Sequence, residues 1–441
     1  MNEMIMTEQE KNATISKMRW KLVPYLMVLY FLSMMDRNCM SFGALQMNAE
    51  LGITPAAFGL LAGIFFIPYF FCEVPSNIIM HRVGARVWIA RILISWGLVT
   101  MLTGFADSLF HLQVLRFLLG ICEAGFYPCI ILYLTYFFPA KYLGKTIGVF
   151  MCAMAVSNIF TGIVSTWIMD NVHLFGMSGW RWMFIIEGLP AFILGFVSLR
   201  VMIDRPSQAK FLTEREKLWI ESELKAEQQT KATSSSKAVS TFDGFKNPKV
   251  WYLCIPYISY IIALYGLGMW MPQLIKQMSA SLSNTQVGLI AAVPYLFGIL
   301  IMYLVAKHSD KVQERRYHVG LPIALAFFGL IALTKVDSVW AGILLISIST
   351  AGIYSFIGTF WTIPNAFLGE AAAAVGIAVI NSVGNLGGFI GPYLVGIAKS
   401  ATGSTDSGMY ILACFALLAT LTTILIPKKS LVVGSDKQSD I

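Results

Sequence analysis

The sequence predicts an all-α integral membrane protein: twelve transmembrane helices in two six-helix bundles, both termini cytoplasmic. Three observations carry that prediction. The 441 residues are 57% hydrophobic and only 13% charged, with mean hydropathy +0.68, whereas a soluble domain carries about 25% charged residues. Apolar runs long enough to cross a bilayer, about 20 residues each, recur along the whole chain. Lysine and arginine are divided unequally between alternate loops.

The runs fall near 22–43, 57–80, 87–106, 112–137, 146–169 and 182–203, then near 251–275, 285–306, 319–335, 338–360, 374–398 and 408–427. The stretch before the first is polar and of mixed charge, with no apolar run leading to a small-residue cleavage site, so no signal peptide is expected. With that stretch inside, 26 of the 32 lysines and arginines lie in inner segments. Outer loops hold Arg181, Lys276, Lys335 and Lys399, while Arg37 and Arg116 lie within spans. The positive-inside rule then puts both termini in the cytoplasm. The longest hydrophilic stretch separates six spans from six. It opens with an amphipathic helix from about Thr213 and continues from Gln228 to Thr241 as a Ser/Thr/Lys-rich linker. The expected organisation is an N-terminal bundle over 1–203, a cytoplasmic linker over 204–249, and a C-terminal bundle with a short tail over 250–441. Such a layout is that of transporters whose halves rock about a central site. The loops H-R-V-G-A-R (81–86) and H-S-D-K-V-Q-E-R-R (308–316) occupy matching positions in the two halves.

The charges inside the spans carry the functional reading. Each costs about 2.5–3.5 kcal/mol on insertion scales and faces a partner or a water-filled cavity. Span 1 holds Asp36 and Arg37; span 4 holds Arg116 and Glu123 in R-F-L-L-G-I-C-E-A-G-F-Y-P. Counting 1.5 Å per residue, Asp36 and Arg116 sit at matching depth, about 22–23 Å above the inner edge. Glu123 lies about 10 Å deeper than Arg116 on nearly the same face. The expectation is that Arg116 pairs with Asp36 in one state, a static pair that fixes helix register being the alternative. Arg37 offers its guanidinium fork to a substrate carboxylate. Glu123, without an evident permanent partner, carries the coupling proton, and Asp36 is the second proton carrier. Glu73 is expected to meet a cytoplasmic basic residue, and Glu187 to brace the W-R-W segment at 180–182 or meet an arginine. The second half brings no charge to its spans, so its share of the site is neutral: Trp361, Asn381, Asn385, Tyr257, Tyr260 and Tyr265, with Tyr69 as the first-half counterpart. The glycines of span 11 allow close backbone approach.

Several motifs occur in order: D-R at 36–37, E-V-P-S-N at 73–77, R-F-L-L-G-I-C-E-A-G-F at 116–126, G-W-R-W-M-F-I-I-E-G-L-P at 179–190, D-R-P-S at 204–207, F-W-T-I-P at 360–364 and G-I-A-V-I-N-S-V-G-N-L-G-G-F-I-G-P at 376–392. By these the chain resembles the major facilitator superfamily, in particular its anion–cation symporter branch, with transporters for sugar acids, tartrate, phthalate or hydroxyphenylacetate. The resemblance implies the major facilitator fold at the inner (cell) membrane. It also implies proton-coupled import of a small organic anion by alternating access, with similar roles for Asp36, Arg37, Arg116 and Glu123. The chain departs from the superfamily loop motif, having His81 where the motif has aspartate. If the family's span-5 polar position falls at Met154, a less hydroxylated or aromatic substrate is favoured.

Other classes find little support. No HExxH, Walker A, GxSxG or Rossmann fingerprint occurs in a fitting context, and the histidines lack ligand spacing. No catalytic residue, metal or cofactor is expected beyond the proton as coupling ion. The net charge of +8 is spread over short loops, which does not suggest nucleic acid. The seven cysteines show no CxxC spacing and read as packing residues. The expected partners are the anion, protons and the lipid bilayer, and the expected state is a monomer. A non-transporting membrane sensor of organic anions is the alternative, and an integral-membrane enzyme a more distant one.

Overall fold

The computed structural model describes residues 6–234, 247–368 and 370–427. The helices before residue 235 are α1 (Glu8–Glu50), α2 (Pro55–Gly63), α3 (Phe66–Val83), α4 (Ala85–Thr103), α5 (Leu109–Glu123), α6 (Phe126–Thr135), α7 (Ala140–Asn171), α8 (Gly179–Val201) and α9 (Glu214–Ser234). Those after it are α10 (Pro248–Met278), α11 (Asn284–Val312), α12 (Arg316–Leu333), α13 (Val339–Phe360), α14 (Thr362–Leu368), α15 (Glu370–Asn385), α16 (Gly387–Thr402) and α17 (Asp406–Ile424).

Local sequence sets the helix ends. Thr7 and Glu10 form a capping box at α1, and Ser283 and Gln286 form another at α11. Pro55 and Pro248 stand at first helical positions behind the capping side chains of Thr54 and Asn247. Gly125, at φ 82°, ends the α5 turn and starts α6, a backbone conformation that favours glycine.

Among the described residues, eleven stretches are long and apolar enough to cross a membrane. Four of them join two helices across a break: α2–α3, α5–α6, α13–α14 and α15–α16. Broken spans survive in lipid only where protein or a cavity satisfies the freed backbone groups. The first of the twelve expected spans is missing from the eleven because α1 carries Asp36 and Arg37 in its apolar half. It still packs lengthwise against α7, α8 and α10.

The amphipathic helix expected near Thr213 is α9. It continues past Gln228 to Ser234, so the first part of the expected linker is helical, and the rest lies outside the described residues. The inner end of α1 reaches beyond the bundle to meet it. Lys17 Nζ lies 2.9 Å from Glu216 Oε2, and Arg215 pairs with Glu10 at 3.2 Å. Lys141 pairs with Glu8 at 3.2 Å. Burial alone would raise the Glu216 carboxyl, but the Thr213 N–H, Lys17 and the Thr213 hydroxyl hold it below the usual carboxylate range.

The two sets of helices meet unevenly. α7 lies along α11, and α2 along α16. Small residues make both contacts possible: a Cβ on Gly59 would fall 2.6 Å from the Pro392 carbonyl, and one on Gly288 would collide with the Gly162 carbonyl. At the face that the charge count assigns to the outside, Asp170 of α7 caps α11. Its carboxylate accepts from Asn284 Nδ2, the Thr285 amide and the Thr285 hydroxyl, each at 2.7 Å. The Ala56 amide donates to Ser400 Oγ at 2.9 Å on the same face. The apolar core follows suit. Outer residues of the first half, such as Met47, Phe58 and Trp180, share one cluster with the second half, while the inner part of the first half has its own, from Ile15 to Ile220.

Replacing Asp170 by Ala removes three cross-half hydrogen bonds, each worth about 1.5–3 kcal/mol for a charged acceptor. The expected outcome is faster labelling, from the outer face, of a cysteine placed at Asn38 on the cavity wall. Unchanged labelling would show that the Asp170 cap does not hold that face closed.

Candidate functional site

The charges cluster because the span breaks bring them together. α1 carries Ser33 and, one turn on, the adjacent Asp36 and Arg37. Glu123 is the last residue of α5, directly before the break at Ala124 and Gly125. A Cβ on Gly125 would lie 2.6 Å from Ser76 Oγ, and one on Gly120 would strike the Phe65 carbonyl, so both glycines let α3 and its junction with α2 close over this end of α5.

Glu123 is completely buried. Its Oε1 accepts from Arg37 Nη2 at 2.6 Å and from Ser33 Oγ at 2.8 Å. Its Oε2 has no partner. Arg116, also buried, donates from Nη2 to the backbone carbonyl of Arg37 at 3.1 Å. The Phe65 ring is in contact with both guanidinium groups, 5.1 Å from Arg37 Cζ and 5.0 Å from Arg116 Cζ. Tyr69 flanks Arg37 at 5.1 Å. Such contacts are worth about 2 kcal/mol when desolvated.

Two expectations are corrected. Glu123 has a partner in this state, Arg37, because the 100° step from Asp36 to Arg37 turns the arginine toward the end of α5. Arg116 does not pair with Asp36 here: it reaches the α1 backbone at the expected depth, but the Asp36 carboxyl turns toward Trp96 and Thr100 of α4. Both Asp36 oxygens, the Trp96 indole nitrogen and the Thr100 hydroxyl lack a hydrogen bond.

A cavity of about 690 Å³ opens in front of this cluster, between the two halves. Arg37, Tyr69, Trp361 and Asn381 all line it, as do Tyr257, Tyr260, Tyr265, Asn385 and Met154. Asp36, Arg116 and Glu123 are not on its wall. Arg37 therefore stands between cavity and buried carboxylates, touching both. Among the described residues the wall carries two charged groups, Arg37 and Glu73. The rest of the wall is uncharged: tyrosines, Trp361 and amides stand among aliphatic and methionine side chains. Tyr257 donates to Asn381 Oδ1 at 3.2 Å, and its ring lies 4.9 Å from Trp361. Tyr30 and Phe150 stack at 4.8 Å.

Sequence reasoning missed one cross-half chain: Asn38 Nδ2 donates to Asn158 Oδ1 at 2.8 Å, and Asn158 Nδ2 donates to the Tyr354 hydroxyl at 3.0 Å. The signal was present as amides in apolar runs, which need partners in lipid. Glu73 meets no basic loop residue; Asn385 of α15 donates to its Oε2 at 3.3 Å. Glu187 meets neither the W-R-W segment nor an arginine. Its Oε1 accepts from Ser165 of α7 at 2.6 Å, while Arg181 and Trp180 instead bind Glu50. All seven cysteines are free, and Cys152 and Cys414 are exposed on the helix surface.

Residues 26–392 match the family model described as Major Facilitator Superfamily. Two Agrobacterium vitis proteins, each described as "Putative tartrate transporter", are 41% identical to the chain. One is aligned over 97% of this chain and 94% of its own length, the other over 96% of each. A "Quinolone resistance transporter" of Acinetobacter baumannii is 33% identical over 94% of the chain and 95% of its own length. A crystal structure of a bacterial homologue of the human lysosomal transporter Spinster superposes with TM-score 0.73 at 16% identity, covering 92% of this chain and 95% of that one.

The buried pair has a measurable signature. Replacing Arg37 by Met leaves Glu123 buried without its cation and should cost about 3–5 kcal/mol. With Glu123→Gln already present the same change should cost less, giving a coupling of at least about 1 kcal/mol. Thermal unfolding of the four detergent-purified variants measures it, and additivity would disprove the pairing.

Proposed function

The chain belongs to the Major Facilitator Superfamily, and from that premise we propose that it imports a small organic anion by proton symport with alternating access. The observation that carries this reading is the placement of Arg37. It faces the cavity with one side and is held by Glu123 with the other.

That placement couples two binding events. While Glu123 is ionised, it occupies an Nη2 donor of Arg37. A proton on Glu123 removes the charge that holds the guanidinium and frees it to take a substrate carboxylate in bidentate fashion. Substrate arriving first competes for the same donors and favours protonation of Glu123. Each event therefore promotes the other, which is what symport requires. Asp36 is the second proton position: it is buried, faces the Trp96 indole and the Thr100 hydroxyl, and has no ion pair among the described residues. Arg116, tied to the α1 backbone, sets the height of the pair and supplies positive charge beside both carboxylates.

The substrate class is a sugar acid, a hydroxydicarboxylate such as tartrate, or an aromatic carboxylate. The Agrobacterium vitis relatives support the second, and the ring-rich cavity wall is suited to the third. The protein acts as a transporter, not an enzyme, at the inner membrane. No cofactor is proposed, and the monomer is the proposed functional unit. Alternating access is supported by the uneven contact between the halves: closed around Asp170 and Ala56, with the cavity extending from mid-span to Asn77 and Ile377 near the inner ends.

Proteoliposomes test the reading. Wild-type protein should accumulate a labelled organic acid when the outside is made acidic. Glu123→Gln should lose accumulation at least about tenfold yet retain counterflow exchange within a few-fold, since Gln is always uncharged. Full proton-driven accumulation by that variant would overturn the assignment.

A further inference from the structure

Glu73 is the charged residue on the cavity wall that the coupling scheme leaves unused. It lies on α3, one turn beyond Tyr69, whose ring is 5.1 Å from Arg37 Cζ. One turn is about 6 Å along the helix axis. The two opposite charges of the wall thus flank the same tyrosine. Glu73 is followed by Pro75, and its partner Asn385 is the last residue of α15, at the break before α16. Asn385 donates to Oε2 at 3.3 Å, and Oε1 has no hydrogen bond among the described residues. Glu73 therefore presents an acceptor to a cavity whose wall carries no other acidic group among the described residues.

Resting on the organic-anion reading above, we propose that Glu73 is a specificity-determining residue: it accepts a hydrogen bond from a donor group at the end of the substrate distal to the carboxylate on Arg37. An ionised carboxylate can only accept. A substrate with a hydroxyl or N–H at that end makes a charge-assisted bond. One ending in a methyl or ether group leaves Oε1 desolvated without a donor. A site built to bond a hydroxyl discriminates strongly against the analogue lacking it. The ligand class is narrowed accordingly, to carboxylates that carry a hydroxyl or amine donor at the end remote from the carboxylate on Arg37. Asn385 is the positioning residue, since it holds Oε2 from the opposite half and leaves Oε1 on the cavity side. The bond also spans the two halves, so a donor on the substrate reads a carboxylate whose orientation depends on both.

Two matched pairs of acids test this in proteoliposomes: 4-hydroxybutyrate against 4-methoxybutyrate, and 4-hydroxyphenylacetate against 4-methoxyphenylacetate. For whichever pair is accepted, wild-type uptake should favour the hydroxylated member by roughly 10- to 100-fold, the range of one desolvated acceptor left unpaired. Glu73→Met fills the space without an acceptor and should reduce that preference to about threefold or less. Glu73→Gln keeps a carbonyl acceptor and should restore part of it. A purely structural role would lower uptake of both members equally and leave the ratio unchanged. An unchanged ratio in Glu73→Met, or no preference in the wild type, would overturn the Glu73 assignment while leaving the transport reading intact. Uptake of none of the four acids, and of neither tartrate nor gluconate, would overturn the organic-anion reading and this inference with it.

Discussion

The buried ion pair of Arg37 and Glu123 is the constraint on which the rest of the site depends. Two charges removed from water are costly unless their geometry is good and their remaining donors and acceptors find partners. Here Ser33 adds a second donor to the carboxylate, Phe65 and Tyr69 cover the guanidinium, and Arg116 fixes the backbone from which Arg37 projects. The pair is not sealed, however. Glu123 Oε2 and Arg37 Nε have no partners. The pair therefore keeps an open acceptor on one side and an open donor on the other.

The backbone irregularities serve that arrangement. α5 stops at Glu123 because Gly125 takes a positive φ, and the tight approach of α3 to Gly120 and Gly125 covers the carboxylate. α15 stops at Asn385, where its amide meets Glu73. α13 stops at Phe360, leaving Trp361 on the wall. Each break costs hydrogen bonds that a continuous helix would make, which lipid does not forgive. The cost is tolerable because these segments face protein or the cavity.

Much of this was legible in the chain. Composition and the twelve apolar runs require membrane helices, since such segments have no other way to satisfy their backbones away from water. The depth count put Arg116 level with Asp36, and Arg116 does reach that turn of α1, at the carbonyl of Arg37. Arg37, Tyr69, Trp361 and Asn381 are polar or aromatic groups within spans, a pattern visible in the sequence, and all four stand on one cavity wall. What failed was pairing. Asp36 and Arg37 differ by one residue, hence by 100° of rotation, and the choice of which faces α5 depends on how α1 is turned among its neighbours.

The sequence by itself determined the class of structure and the inventory of costly groups, because hydrophobic run length and charge count act locally and additively. The tertiary structure alone decided which acid meets which base and which of them touch the cavity. Arg37 took Glu123, Asp36 faced Trp96 and Thr100 rather than a base, and Glu73 and Asn385 met across the halves. Such contacts depend on rotation, on helix breaks and on the seating of one bundle against the other, all relations between segments far apart in the chain. Depth in a bilayer can be counted along one helix; azimuth requires its neighbours.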